Sequence, residues 1–457
     1  MSDYKNTPRQ LKPRRSRLSF LAQPDGFIFV VVFLAFLVRI AMFFYLGSGA
    51  TCDSDDVAYI ESGIVFAKTG VVSVWTPYPT AKIMPGMPVV CGILSLIFGQ
   101  GNAYIDSIRI LWIILGSCTP YVLYKCCSVF LPKWYGVIAA CWFLLPNWAW
   151  SDNAVLTEAP YLLFSMLAFY FMLKMGEEKC GSKKTVWAYV LSVMAGFMFR
   201  ATMLIIIPFT LLYLLAFKKI SFQNLKKPCL LMLAALLVFI IPWTVRNYIQ
   251  FGEFIPVTDG ATNPTLKGTY QGETAPADES LDYESNVLHV LMDEYPEYFN
   301  ADGTLRDIAD GEKMTEKYEA LQTRYRLREW FRRDPLGLLK AYFISKPACV
   351  LDWVWIWLPL PKLYYSLRDL ARVNLIVCFL GFILAFVFKK KRKITLFLSL
   401  YYWINIYILA LSFISERYAA MYMPVRYMMF SITLYLIVDF IKGRRAKKQR
   451  PTECRQS

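Results

Sequence analysis

Four acids fall within nine residues directly after the first long apolar run: Asp53, Asp55, Asp56 and Glu61, in the stretch Cys52-Asp-Ser-Asp-Asp-Val-Ala-Tyr59-Ile-Glu61. Carboxylates this close repel one another. Without a cation nearby, one of them is held toward a higher pKa, the condition in which a carboxylate draws a proton from a hydroxyl near neutral pH. The same pattern also fits a plain helix start, where acids are favoured by the helix dipole. Asp152 and Glu158 form a second acidic point in Asn147-Trp-Ala-Trp150-Ser-Asp152-Asn-Ala-Val-Leu-Thr-Glu158-Ala-Pro160. Cations recur at the ends of apolar runs: Arg109, Arg200, Arg246, Arg417 and Arg426. An arginine in hydrocarbon costs roughly 2.5–3.5 kcal/mol on insertion scales, so five on one side suggest a shared anionic partner. Pairing with Asp106, Asp152, Glu158 or Glu416 is the competing reading. Lys82 sits in the proline-rich stretch from Gly70 to Pro88, where an ammonium can meet a lipid phosphate at the interface or simply snorkel.

What the chain lacks narrows the chemistry. His289, in a polar loop, is its one histidine, which excludes serine–histidine hydrolases, HExxH metalloproteases and multi-histidine metal centres. Any general base is therefore a carboxylate. The 11 cysteines are scattered, and Cys91, Cys118, Cys141 and Cys378 lie inside apolar runs, so neither a disulfide scaffold nor a zinc site is expected. No phosphate-cradling glycine loop is present and no cofactor is expected. Acids beside a lipid phosphate leave room for a divalent cation, but not for a permanent metal site.

The elements that must position these groups are membrane helices. Of 457 residues, 56% are hydrophobic and 18% charged, with mean hydropathy +0.38, more apolar surface than one soluble core buries. The net charge of +16 would suggest nucleic acid in a soluble protein, but the cations cluster between apolar runs, as in cytoplasmic turns, so no nucleic-acid partner is expected. The cluster Lys5 to Arg17 before the first run puts the N-terminus in the cytoplasm. Ten spans follow, near 27–47, 107–125, 135–150, 158–175, 185–200, 203–217, 229–245, 371–388, 394–413 and 422–440, with both termini cytoplasmic. Val89 to Phe98 is too short to cross and is expected as an interfacial helix; Leu336 to Pro361, with Trp353, Trp355 and Trp357, is expected to be interfacial or re-entrant. The fold class is thus an all-α polytopic membrane protein. Its expected divisions are a basic tail (1–25), a transmembrane module (26–245) with a first external loop (48–106), an extracytoplasmic loop (246–336), a C-terminal part (337–441) and a second basic tail (442–457). In the long loop, Tyr318, Leu321 and Tyr325 predict a helix over 312–333 on the membrane surface.

Taken in order, Asp55-Asp56-x-x-Tyr59, the Gly70 stretch ending Pro85-Gly-Met-Pro88, Leu156-Thr-Glu158-Ala-Pro160, Phe199-Arg200-Ala-Thr202, Pro242-Trp-Thr-Val-Arg246-Asn-Tyr-Ile-Gln-Phe-Gly252 and Glu416-Arg417-Tyr418 resemble bacterial GT-C glycosyltransferases. The nearest group is that of the protein O-mannosyltransferases and lipid A aminoarabinose transferases, and the resemblance covers about residues 26 to 440. It implies a polyprenyl-phosphate sugar donor, a lipid, glycan or protein acceptor, and a site on the extracytoplasmic face of a bacterial plasma membrane. It also implies Asp55 or Asp56 as base, with Glu158 facing the same cavity and Asp152 competing for that place. Tyr59, Lys82, Arg109, Arg200, Arg246 and Arg417 become the substrate-binding candidates, the cations for the donor phosphate. Relatives commonly place a basic residue directly before the paired prolines or Pro-Gly, whereas Lys82 lies three positions before Pro85. Two other classes remain open: a transporter or flippase of lipid-linked saccharide, and an arginine-led polysaccharide polymerase or ligase. The acidic bias of the long loop points to a neutral or cationic acceptor, or only to solubility.

Overall fold

The computed structural model describes residues 21–277, 284–304, 306, 308–352, 354–356 and 360–448, all helical or irregular with no strand among them. The basic cluster Lys5 to Arg17, together with Trp353, Trp357 and Pro359, lies outside the described residues.

The first helix, α1 (Pro24–Leu46), starts on a proline whose missing N–H is no loss in the first turn, with Asp25 beside it. Next come α2 (Asp55–Thr69), α3 (Gly86–Phe98) and α4 (Asn102–Phe130). Gly70 ends α2 in the left-handed conformation (φ 72°), a position suited to glycine. They are followed by α5 (Glu158–Glu177), α6 (Lys183–Phe199) and α7 (Phe222–Phe251). A loop region then carries a short helix (Thr262–Gly268), another (Glu284–Glu294) and α8 (Ile308–Arg333). The chain closes with α9 (Pro361–Val387), α10 (Arg392–Ala410) and α11 (Met423–Lys448).

Among the described residues, seven helices are long and apolar enough to cross a membrane: α1, α4, α5, α7, α9, α10 and the segment Glu416–Arg444 that contains most of α11. The three other expected spans are helical but short or broken. The 185–200 span is the 17-residue α6. The 135–150 span divides into Lys133–Cys141, a turn at Trp142–Leu144 and Pro146–Ser151, because Pro146 cannot continue the hydrogen-bond ladder. The 203–217 span runs through a 3-10 turn (Ala201–Ile205), an α-helical piece (Ile206–Leu212) and a π turn (Tyr213–Phe217). Broken helices survive at membrane depth when buried in protein, and Phe143, Trp148, Met203 and Phe209 are buried. The expected interfacial helix is α3, 13 residues long. The span expected to begin near 371 begins at Pro361.

The main core lies among α4, α5, α6, α10 and α11, where Leu123, Phe169, Phe197, Phe397, Ile406 and Met428 are buried. By contrast α7 keeps Leu230, Val238 and Ile241 exposed, an apolar face that suits lipid. In the loop region α8 packs on the short helix Thr262–Gly268, and Tyr318 and Leu321 pack against a small core of Leu291, Phe299 and Met314. Tyr325, expected on the same stripe, is exposed.

Candidate active site

The start of α2, the start of α5, the end of α6 and the turn before α11 meet at one end of the bundle. Arg417 links two of them: its Nη1 donates to Asp55 Oδ2 at 2.7 Å and its Nε to Glu158 Oε1 at 2.6 Å. Arg200 Nη2 donates to the same Glu158 oxygen at 2.8 Å, and its Nε to Thr157 Oγ1 at 2.5 Å. The result is an alternating chain, Asp55–Arg417–Glu158–Arg200. Burial decides the roles within it: the Glu158 side chain is 3% exposed, whereas that of Asp55 is 39% exposed. Glu158 is therefore the fixed counter-ion of two guanidinium groups, and Asp55 the carboxylate that reaches open space. Neither Arg200 Nη1 nor Arg417 Nη2 has a hydrogen-bond partner among the described residues.

Two cavities flank this chain. The larger, about 860 Å³, is walled by Asp55, Tyr59, Lys82, Arg417 and Tyr418, by Trp75 and Trp355, and by Asn263 and Glu319 of the loop region. The smaller, about 400 Å³, shares Asp55, Tyr59, Lys82, Arg417 and Tyr418 and adds Arg200, Thr157 and Thr202 with the apolar Met84, Met87, Phe199 and Leu409. Tyr59, one helical turn beyond Asp55, faces both. Its phenol is pushed up to about 12, first by burial and, against the pull of Arg200, by the Asp55 charge, so it stays protonated and can donate a hydrogen bond.

Four of the residues singled out from sequence lie elsewhere. Asp56 is fully buried and accepts from Cys52 N (2.5 Å) and Ser54 N (3.0 Å), so it closes the turn into α2 rather than facing a cavity. Asp152 is buried against Arg39, which donates through Nε at 2.7 Å; an unpaired charge there would be costly, and the pair neutralises both. Arg109 is fully buried under the Phe43 ring, donating to Gly47 O and Asp106 Oδ1, and serves the packing of α4 on the end of α1. Arg246 donates to the carbonyls of Thr80 (2.8 Å) and Val72 (3.4 Å) and stacks on Trp243 and Phe251. It braces the loop after α2 and does not line either cavity. Lys82 does line both, with Nζ 3.7 Å from Glu316.

Sequence reasoning passed over the loop-region wall. Asp259 and Glu316 lie side by side next to Lys82; burial raises both pKa values, and the Asp259 charge adds to the rise of Glu316, which is pushed up to about 8. Gly260 is pressed on the Lys82 carbonyl, where a Cβ would come within 2.3 Å. No short motif announces these contacts. Arg39 did leave a signal, a charge inside an otherwise apolar run. Among the described residues no cluster of three or more His, Cys, Asp and Glu is arranged to hold a metal ion.

Residues 83–244 match the family of dolichyl-phosphate-mannose-protein mannosyltransferases. The fold is similar to that of the archaeal oligosaccharyltransferase AglB from Archaeoglobus fulgidus, solved with an inhibitory peptide and a dolichol-phosphate, at 12% identity and a TM-score of 0.54 over 94% of this chain and 52% of that one. The chain thus spans about half the length of that protein. ArnT from Cupriavidus metallidurans, bound to undecaprenyl phosphate, aligns over 90% of this chain and 78% of its own at 15% identity and a TM-score of 0.39. A search among curated proteins found no match.

Proposed function

We propose that this chain, a polytopic membrane protein of the GT-C glycosyltransferase type, moves a sugar from a polyprenyl-phosphate carrier to an acceptor hydroxyl at the extracytoplasmic face of a bacterial plasma membrane. The observation that carries the reading is the Asp55–Arg417–Glu158–Arg200 chain standing between two cavities. The smaller cavity, with apolar walls and the two free guanidinium nitrogens, suits a lipid phosphate; the larger, with Asp55 at its edge, suits the acceptor.

Asp55 takes the proton of the acceptor hydroxyl as that oxygen bonds to the anomeric carbon. The bond from the anomeric carbon to the phosphate oxygen breaks with its electron pair going to phosphate, and the configuration inverts. Arg200 and Arg417 meet the charge that develops on the leaving phosphate, held in place by Glu158 before the reaction begins. The protonated Tyr59 phenol, facing both cavities, is placed to donate a hydrogen bond to the sugar or the phosphate there. A divalent cation, if bound, would be held by Asp55 and would supply further charge stabilisation to the leaving phosphate.

The test is release of polyprenyl phosphate from a panel of polyprenyl-phosphate sugars by the protein in nanodiscs. Asp55→Asn is expected to lower release by a factor of about 100 or more while donor binding persists, and Arg417→Ala to weaken both. Donor binding without release, unaltered in Asp55→Asn, would favour a carrier of lipid-linked saccharide and sink the proposal. Release that survives Asp55→Asn but not Arg417→Ala would favour an arginine-led ligase.

A further inference from the structure

Trp75 carries a left-handed backbone (φ 65°) at the rim of the larger cavity, and its indole is 62% exposed. A bulky residue adopts such a conformation only at a cost in free energy. Among the described residues no ring stacks on the indole and no hydrogen bond holds it. Yet the loop that presents it is held firmly. Thr80 N donates to Val72 O at 2.9 Å and closes the neck, and Arg246 donates to the carbonyls of both neck residues. Ser73 and Val74, beside the tip, are buried. A fixed neck with a bare aromatic tip is a preorganised contact surface.

The chemistry of the cavity narrows what would lie on it. Its charged lining balances, with Asp55, Glu319 and Glu416 against Lys82, Lys267 and Arg417, so neither sign of ligand is selected. Glu319 accepts from Asn263 Nδ2 (2.5 Å) and Thr262 Oγ1 (3.2 Å), which fixes a rigid polar edge. Trp355 and Tyr418 add further aromatic wall. A flat apolar face, fixed hydrogen-bonding edges and no net charge complement a sugar ring, which is a plate of C–H groups rimmed by neutral hydroxyls.

We infer that Trp75 is the stacking platform for a neutral saccharide in the larger cavity, making the acceptor a glycan. Calling that saccharide the acceptor rests on the proposed transfer reaction; its binding to Trp75 does not. The experiment measures binding of a panel of methyl monosaccharides and disaccharides to the full chain in nanodiscs by saturation-transfer NMR, with polyprenyl phosphate present. A peptide containing serine and threonine runs in parallel. The inference expects at least one glycoside to bind, Trp75→Ala to weaken it about tenfold or more, and Trp75→Phe, which keeps a ring face, to weaken it less than threefold. Equal thermal midpoints for the three proteins establish that the fold is intact; if Trp75→Ala unfolds, the Trp75→Phe and Trp75→Leu pair carries the comparison. Glycoside binding indifferent to Trp75, or binding of the peptide alone, would overturn it. So would tryptophan quenching by brominated lipid that vanishes in Trp75→Phe, because it would bury the indole in the bilayer. Saccharide binding without lipid-phosphate release would refute the transferase reading alone, and release without saccharide binding would refute this inference alone.

Discussion

Glutamine in place of Glu158 removes a charge but leaves an acceptor oxygen where Oε1 stands. That oxygen takes Arg417 Nε at 2.6 Å and Arg200 Nη2 at 2.8 Å, both charge-assisted bonds. Such bonds contribute about 1.5–3 kcal/mol and neutral ones about 0.5–1.5, so two of them weakened amount to roughly 2 kcal/mol. Arg417 then keeps Asp55 as its carboxylate and Arg200 keeps none, at a place where the Glu158 side chain was 3% exposed, which brings the expected loss to about 2–4 kcal/mol. The effect on phosphate has the opposite sign. With their counter-ion neutralised, Arg200 and Arg417 attract an anion more strongly, and polyprenyl phosphate is expected to bind about tenfold tighter, or about 1.4 kcal/mol. Turnover falls as the product is retained and the arginines lose their alignment. Thermal unfolding in nanodiscs and titration with polyprenyl phosphate read the two effects separately. Weaker phosphate binding at an unchanged thermal midpoint would refute the counter-ion role. Complete loss of transfer with unaltered phosphate affinity would make Glu158 the base in place of Asp55.

Raising pH should weaken the attachment of the loop region. Below about pH 4.5 Glu316 is protonated folded or unfolded; between there and about 8 the folded form alone keeps the proton, so stability falls as pH rises, at up to about 1.4 kcal/mol per pH unit. The groups facing the Glu316–Asp259 pair are Lys82, Arg246, Glu253 and Glu319. Thermal midpoints from pH 5 to 9 should slope downward in the wild type and less so in Glu316→Gln, and parallel profiles would contradict the assignment. Asp152→Asn leaves Arg39 buried opposite a neutral amide and should cost about 3–5 kcal/mol, seen as poor yield or a much lower thermal midpoint. Arg246→Gln should speed proteolysis between Val72 and Thr80 and raise the KM for acceptor more than that for donor. A pure donor effect would return Arg246 to the phosphate site.

The membrane class, most span positions and the cluster of Asp55, Glu158, Arg200 and Arg417 at one end of the bundle were legible because charge interrupting apolar runs is costly and therefore informative. The division of labour among acids was not. Asp55 and Asp56 are adjacent in sequence, but the step of about 100° between neighbouring helix positions points one into the cavity and the other at the amides of Cys52 and Ser54. Arg246 and Arg109 carry the same charge as Arg417 and also border apolar runs, yet they hold backbone carbonyls; residue type cannot say which acceptor a guanidinium will find. The two broken spans, with Pro146 and Pro208, look continuous in hydropathy because proline interrupts hydrogen bonding without lowering apolarity. Trp75 and the Asp259–Glu316 wall depend on long-range packing between two loops, which leaves no local pattern to read.

Arg417 reaches Asp55 across 362 positions of sequence and Glu158 across 259. During synthesis the two acids are made long before their shared cation. Until the segment around Glu416 emerges, Glu158 has Arg200 alone and Asp55 has no guanidinium at all. A nascent chain already inserted through α7 thus holds the candidate base and half of the anion clamp without the residue that joins them. On the proposed transfer reaction, a chain that lacks the last helical segment is expected to be inactive toward the donor, with competence arriving when that segment docks.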